Sequence, residues 1–264
     1  MGMATGTEPV PAAVRRLTGR CRAVPVWTND HGGVTFRLEP PAESDPQVEV
    51  EAVPGPVDPQ VEAETRLRFA KWQPRSSPVD LHGEAARMRW AAQYAVVPEV
   101  LEVGDDAEGR WLLTLGLDGE TAVSDRWRAA PALAVPALGR ALRHLHDALP
   151  VDGCPFDWGT GHRLARTVGD ARALREPPPV DRLVVCHGDA CSPNTLLRED
   201  ASLAGHVDLA TLGVADRWAD LAVATMATTW NYGPGWEAPL LAAYGVEPDP
   251  VRTAYYRALW HAGP

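Results

Sequence analysis

The sequence predicts an α+β fold in two lobes, a small β-rich N-terminal lobe and a larger, mainly helical C-terminal lobe. Three observations lead there. Segments that alternate polar and apolar residues, the pattern of half-buried strands, precede Gly116. Beyond Gly116-Leu117-Asp118-Gly119, which breaks that pattern, apolar residues recur at helical spacing, as at Leu138, Leu142, Leu145 and Leu149. The length of 264 residues, 45% hydrophobic with ten Trp, suffices for one large domain or two small cores. The boundary is set at the Gly116 break, giving lobes of residues 1–116 and 117–264.

In chain order, the first 20 residues read as a frayed start with a short helix at Val14 to Leu17. Arg22 to Trp27 and Val34 to Leu38 are strands joined by Asn29-Asp30-His31-Gly32-Gly33. This hairpin has a Gly-rich tip of the kind that can lie over phosphates, although Gly-Gly between strands is usually only a turn. Residues 39–64 are acidic and Pro-rich, with neither Lys nor Arg; they read as an exposed surface insertion with a brief strand at Val48 and Val50. Arg66 to Trp72 is a strand of period two that places Leu67, Phe69 and Lys71 on one apolar face. Asp80 caps a helix from Leu81 to Tyr94, whose inner stripe carries Glu84, Met88, Ala91 and Ala95. Pro98 to Val103 and Arg110 to Leu115 are two more strands. Helices follow at Pro136 to Leu149, where His144 and His146 read as surface or capping residues rather than ligands, and at His162 to Leu174. Later helices begin near Asp216 and Pro250, and an aromatic loop, W-N-Y-G-P-G-W, runs from Trp230 to Trp236.

Composition narrows the function. A formal net charge of −10 disfavours nucleic acid and anionic membranes and suits a cationic small substrate. The four Cys form no C-x-x-C pair, so no zinc or redox motif is present. No run reaches membrane-spanning length and the N-terminus lacks the apolar core of a signal peptide, which implies a cytoplasmic protein, a monomer or homodimer. Lys71 is the only lysine; every other fixed basic side chain is Arg. A compact ammonium kept at one place points to a task that a planar guanidinium cannot do. A charge on an apolar face needs a partner, and Glu84, on the buried side of its helix, is the nearest in type and position.

The chemistry concentrates between Val184 and Asp208. V-V-C-H-G-D-A-C-S-P-N-T-L-L begins as a buried strand, breaks at His187-Gly188-Asp189, and resumes as a strand after Asn194. Pro193 argues against a helix in the turn. A further strand, His206 to Leu209, delivers Asp208. Asp189, Asn194 and Asp208 form an oxygen-rich anionic set suited to Mg²⁺. A competing reading takes the two His-x-Asp triplets, His187/Asp189 and His206/Asp208, as ligands of a metallophosphatase. That reading leaves Lys71 and Glu84 without a task. A third possibility is a non-catalytic nucleotide-binding relative of a kinase, although no charged site residue has been lost.

The Asp-x₄-Asn spacing with a later Asp resembles the catalytic loop of protein kinases. More of the chain, including H-V-D-L-A-T-L-G-V-A-D-R-W-A-D-L, Cys154-Pro155-Phe156-Asp157 and Gly83-Glu84-Ala85-Ala86-Arg87, resembles the aminoglycoside 3'-phosphotransferases, antibiotic kinases of bilobal, protein-kinase-like fold. The resemblance implies an enzyme that moves the γ-phosphoryl group of ATP or GTP to a hydroxyl of a small molecule. It implies Asp189 as catalytic base, Asn194 and Asp208 as holders of Mg²⁺, and Lys71 on the nucleotide phosphates, steadied by Glu84. It also implies adenine at the backbone of Leu115 and Leu117, structural roles for Asp220 and His187, and a cleft between the lobes where these groups converge. The chain departs from the family at its acceptor end. The segment after His162 is short, and Trp260 and His261 stand where the family commonly has an acidic pair. His31 stands at the hairpin tip where the family often has Ser.

Overall fold

The computed structural model describes residues 2–3, 8–40, 66–167, 174 and 176–263. Two compact units are present: Met1–Ala86 with Pro98–Leu117, and Arg87–Val97 with Asp118–Pro264.

The first unit is built on one six-stranded antiparallel sheet. Its strands are β1 (Gly2–Met3), β2 (Arg22–Thr28), β3 (Val34–Glu39), β4 (Arg68–Pro74), β5 (Val100–Asp105) and β6 (Gly109–Leu115), in the order β1-β2-β3-β4-β6-β5. Pro25 sits where the register slips between Pro25 and Trp27, because proline cannot donate to the ladder and is tolerated at a bulge. Asn29 shapes the hairpin tip: its side-chain oxygen accepts from the N–H of His31 at 3.0 Å and of Gly33 at 2.8 Å. Helix α1 (Ala12–Thr18) covers one face, where Val14, Phe36, Leu38, Ala70 and Leu113 form the core. Trp72 packs on the same side. Alternation therefore puts Lys71 on the other face. Ala70 is buried in that core, and Phe69 and Lys71, which share the opposite face as period two requires, are half-buried. Glu39 ends β3 rather than opening the acidic loop. The strand expected at Val48 and Val50 lies outside the described residues.

Helix α2 (Leu81–Ala91) is capped by Asp80, whose Oδ1 accepts from Gly83 N–H at 3.0 Å. It stops three residues before the expected Tyr94, so Ala95 is not on its stripe. Leu81, Glu84, Ala85, Met88 and Ala91 are the buried residues of this helix.

The second unit is mainly helical. Short strands β7 (Glu120–Thr121), β9 (Thr195–Leu197) and β10 (Leu203–His206) form one sheet, and β8 (Leu183–Cys186) pairs with β11 (Gly213–Asp216) in another. The helices are α3 (Asp125–Arg128), α4 (Pro131–Ala148), α5 (Thr160–Leu164), α6 (Trp218–Tyr232), α7 (Glu237–Tyr244) and α8 (Pro250–His261). Helix α4 starts at Pro131, earlier than expected, and runs through Pro136. Pro131 sits at the first turn, where no N–H is needed, and the Ala- and Leu-rich sequence tolerates the second proline. At Gly139 the backbone of α4 meets the backbone of α7 at Leu240 with no side chain between. Helix α5 ends at Leu164, well short of the expected Leu174; residues 168–173 lie outside the described residues. Asp249 caps α8 by accepting from Arg252 N–H at 3.0 Å. Among the described residues no helix is long and apolar enough to cross a membrane.

Candidate active site

The ammonium of Lys71 lies 2.5 Å from Glu84 Oε1, linking β4 to α2. The Glu84 side chain is 2% exposed and that of Lys71 26%. The ladder fixes the position of Lys71, which pairs with Thr35 on β3 and Leu112 on β6. At the end of β6, Leu115 donates its N–H to Glu99 O at 3.0 Å. Of the two backbone positions expected at adenine, Leu115 can therefore offer only its carbonyl, and Leu117 keeps its N–H.

In the second unit, β8 runs into His187-Gly188-Asp189, and the loop is fastened from below by Asp220 on α6. Asp220 is fully buried. Its carboxylate accepts from the N–H of His187 at 2.6 Å and of Gly188 at 2.9 Å. It also bonds His146 Nε2 at 3.0 Å, and His146 Nδ1 in turn meets the Tyr244 hydroxyl at 2.9 Å. His146 is therefore a buried brace and not the surface residue its helix position suggested. Burial works to raise the Asp220 pKa, but the bonds from His146 and Gly188 and the field of His187 outweigh it, holding the carboxyl below its ordinary value.

Gly188 adopts φ +86°, a left-handed conformation. A Cβ there would strike the carbonyl of Thr211, so this turn lies directly on the segment after Asp208. Ser192–Asn194 forms a single 3₁₀ turn, with Pro193 where no donor is required, and no longer helix runs through it. This turn aims Asn194 back at the loop. Its Nδ2 donates to the Asp189 carbonyl at 3.0 Å and to Asp189 Oδ2 at 3.2 Å. Asn194 O accepts from Val207 N–H at 2.9 Å, and His187 Nε2 bonds Val207 O at 3.0 Å. The strand before Asp208 ends at His206, not Leu209. Asp208 lies beyond it with φ +63°, an uncommon conformation for a residue with a side chain, and one that concentrates at functional sites.

Asp189 Oδ1 is buried, and the Cys191 thiol bonds the same carboxylate. Burial foremost, with the Asp208 carboxylate adding to it, pushes the Asp189 pKa up; the Cys191 thiol, His187 and Asn194 pull the other way without cancelling it. The structure thus brings Asp189, Asn194 and the backbone around Asp208 together, and separately pairs Lys71 with Glu84. It does not form the competing four-ligand site. His187 spends Nε2 on a carbonyl, and His206 is buried with Nδ1 3.3 Å from the Thr195 hydroxyl. Burial lowers the His206 pKa to about 3.

A sequence model of the phosphotransferase enzyme family matches residues 26–171 and 165–256. The chain belongs to this family. It is 32% identical to an aminoglycoside 3'-phosphotransferase of Streptomyces fradiae, over 76% of this chain and 86% of the relative. It is 32% identical to a streptomycin 3''-kinase of Streptomyces griseus, over 72% and 82%. Among solved structures, an aminoglycoside-3'-phosphotransferase of type VIII superposes with a TM-score of 0.73 at 28% identity, covering 95% of this chain and 97% of that one. The aminoglycoside phosphotransferase APH(3'')-Id of Streptomyces rimosus, in complex with ADP and streptomycin, gives 0.67 at 26% identity, covering 94% and 95%. The α+β, kinase-like fold expected from the sequence is thereby established.

His146 and Gly188 are the site-supporting residues that sequence reasoning missed. A lone His on an apolar helix face carried a signal for the first, since His146 is one residue after the buried Leu145. For Gly188 only the break in the β8 strand pointed to it.

Proposed function

We propose that this phosphotransferase moves the γ-phosphoryl group of ATP, or of GTP, to a hydroxyl of an aminoglycoside-like small molecule. The observation that carries the reading is the Asp189 carboxylate, largely buried and bonded by Asn194, on a loop held by its own backbone. An acceptor hydroxyl bonded to that carboxylate would be oriented for in-line attack, and Asp189 would take its proton late, as the loose transition state of phosphoryl transfer requires. The raised pKa favours proton acceptance near neutral pH. Lys71, held by Glu84, would contact the nucleotide phosphates, and the Leu115 carbonyl and Leu117 N–H would receive the purine. In this assignment the first unit serves the nucleotide and the second carries the acceptor chemistry.

The donor set fits Mg²⁺. Asn194 spends its amide nitrogen on Asp189, which leaves its oxygen for a cation, and Asp208 supplies a carboxylate; both are hard oxygen ligands. Bound there, Mg²⁺ would neutralise phosphate charge. The relatives with aminoglycoside and streptomycin in their names support the substrate class. A negative net charge of −10 supports a cationic acceptor.

The test is nucleoside diphosphate release with a panel of kanamycin-like and streptomycin-like acceptors, for the wild type and for Asp189→Ala. The variant should lose about 10²- to 10⁴-fold in kcat while still binding ATP. Undiminished turnover in the variant removes Asp189 from the mechanism. Phosphate release from monoesters without an acceptor would restore the phosphatase reading.

A further inference from the structure

The aromatic segment W-N-Y-G-P-G-W is only partly a loop. Trp230, Asn231 and Tyr232 form the last turn of α6, and residues 233–236 connect it to α7. Every residue of α6 from Trp218 to Thr228 is buried, yet Trp230 is 53% exposed. Its ring meets that of Trp260 on α8, with centroids 5.6 Å apart and planes tilted by 45°. Trp260 is half-buried, and the exposed His261 ring stands edge-on to it at 5.4 Å.

Both ends of α6 are fastened to the segments that carry the catalytic groups. At its first turn Asp220 holds the N–H groups of His187 and Gly188. At its last turn the Tyr232 hydroxyl donates to Ala122 O, and Ala122 N–H donates to Thr195 O at 2.9 Å, one residue beyond Asn194. Thr121 Oγ1, beside Ala122, donates to Pro193 O at 2.9 Å. The helix rises about 15 Å between Asp220 and Trp230. That span exceeds a single sugar ring and suits an acceptor of several linked rings.

The surroundings of the indole pair hold little free charge. In residues 229–237 and 255–263 the only carboxylate is Glu237. Arg257 donates to it at 2.8 Å and the Thr229 hydroxyl at 3.4 Å. A ring bearing several ammonium groups therefore finds no unmatched anion at these two helix ends. Indole faces instead accept the C–H face of a saturated ring, and a lone cation through the ring quadrupole. Trp260 and His261 are also the positions at which the family commonly carries an acidic pair.

We propose that Trp230 and Trp260 form the distal platform of the acceptor site and stack on the C–H face of a saturated sugar or cyclitol ring that carries few or no ammonium groups. The acceptor hydroxyl would lie at Asp189 while a remote ring of the same molecule rests on the indoles. Trp230 and Trp260 are then specificity-determining residues. The proposal deepens the phosphotransferase reading and rests on it for the class of acceptor.

The experiment compares kanamycin with kanamycin acetylated on the amine of the ring farthest from its 3'-hydroxyl. Calorimetric Kd and steady-state KM are measured for the wild type, Trp230→Ala, Trp260→Ala, Trp230→Phe and Trp260→Asp. The wild type should bind the acetylated drug at least as well as the parent. Each alanine variant should weaken acceptor binding about 10-fold, with the nucleotide KM unchanged. Trp230→Phe, which keeps a ring, should recover most of the affinity, and Trp260→Asp should turn the preference toward the parent amine. Alanine variants that bind both drugs as the wild type does overturn the platform, and so does an equal rise in the nucleotide KM. A wild type that binds the parent more than 10-fold tighter overturns the ring class. A wild-type dimer that dissociates in Trp230→Ala with acceptor affinity unchanged assigns the pair to an interface between copies and also overturns the proposal. A wild type that binds these drugs through the two indoles but transfers no phosphate defeats the phosphotransferase reading and keeps the platform. A wild type that binds neither drug overturns both.

Discussion

Lys71 and Asp189 are anchored by different means. Lys71 stands in the middle of a sheet, where ladder partners on both sides already fix its backbone, and a single helix carboxylate holds the ammonium. Asp189 stands on a loop with no ladder. Its backbone is held by a buried carboxylate beneath it, by the Asn194 amide, and by a glycine turn resting on the Thr211 carbonyl. A regular strand needs only one side-chain partner to aim a charge. A loop must recruit buried polar groups from several elements, each costly to leave unmatched.

This contrast can be broken at its strongest point by Asp220→Ala. Removing that carboxylate leaves the N–H groups of His187 and Gly188 and the ring of His146 without their acceptor. A loss of about 3–5 kcal/mol is expected in urea unfolding, with catalysis falling as well. The pH dependence gives an independent check. The folded pKa of Asp220 lies below its ordinary value, so its contribution is present above the unfolded carboxylate pKa. It is lost as pH falls through the lower folded value. Asp220→Asn should therefore flatten the acid side of the stability curve; an unchanged slope there would show that the brace does not act through charge.

Lys71→Ala probes the other anchor. Activity should fall on the order of 10²-fold in kcat/KM for the nucleotide, as for removal of one electrostatic stabiliser. The sheet should stay folded by circular dichroism, because the ladder does not depend on the ion pair. Lys71→Arg should restore little, since a planar fork does not replace a compact ammonium. Collapse of the whole fold in Lys71→Ala would erase the distinction between the two anchors.

Gly188→Ala is the finest test. It forces a side chain into a left-handed turn and against Thr211, and should cost about 1–3 kcal/mol while reducing kcat more than nucleotide affinity. A fully active, fully stable variant would show that the loop can relax away from Thr211.

The first unit was the more legible in the sequence. A solitary Lys on a period-two strand and a Glu on the inner stripe of the next helix were enough to predict the Lys71–Glu84 pair, because both periodicities are local. Alternation told which residues share a side of the sheet, though not which side α1 covers. In the second unit the spacing of Asp189, Asn194 and Asp208 named the groups. It could not show that Asp208 leaves its strand for a left-handed turn, or that His146 reaches Asp220 from 74 residues away. Those are facts of packing between distant segments. The helix ends were misplaced for a similar reason: proline at Pro136 reads as a start when its neighbours are unknown.

The crossing at Gly139 reaches further than its position suggests. Helix α4 carries His146 and α7 carries Tyr244, the two ends of the 2.9 Å bond beneath the loop. Where these helices touch main chain to main chain, there is no rotamer to absorb a change. A single methyl group added at position 139 would wedge the pair apart, and the disturbance would pass along rigid rods to Tyr244, to His146 and so to Asp220. Sensitivity to substitution in this enzyme thus extends to a helix seam that includes none of Lys71, Glu84, Asp189, Asn194 or Asp208.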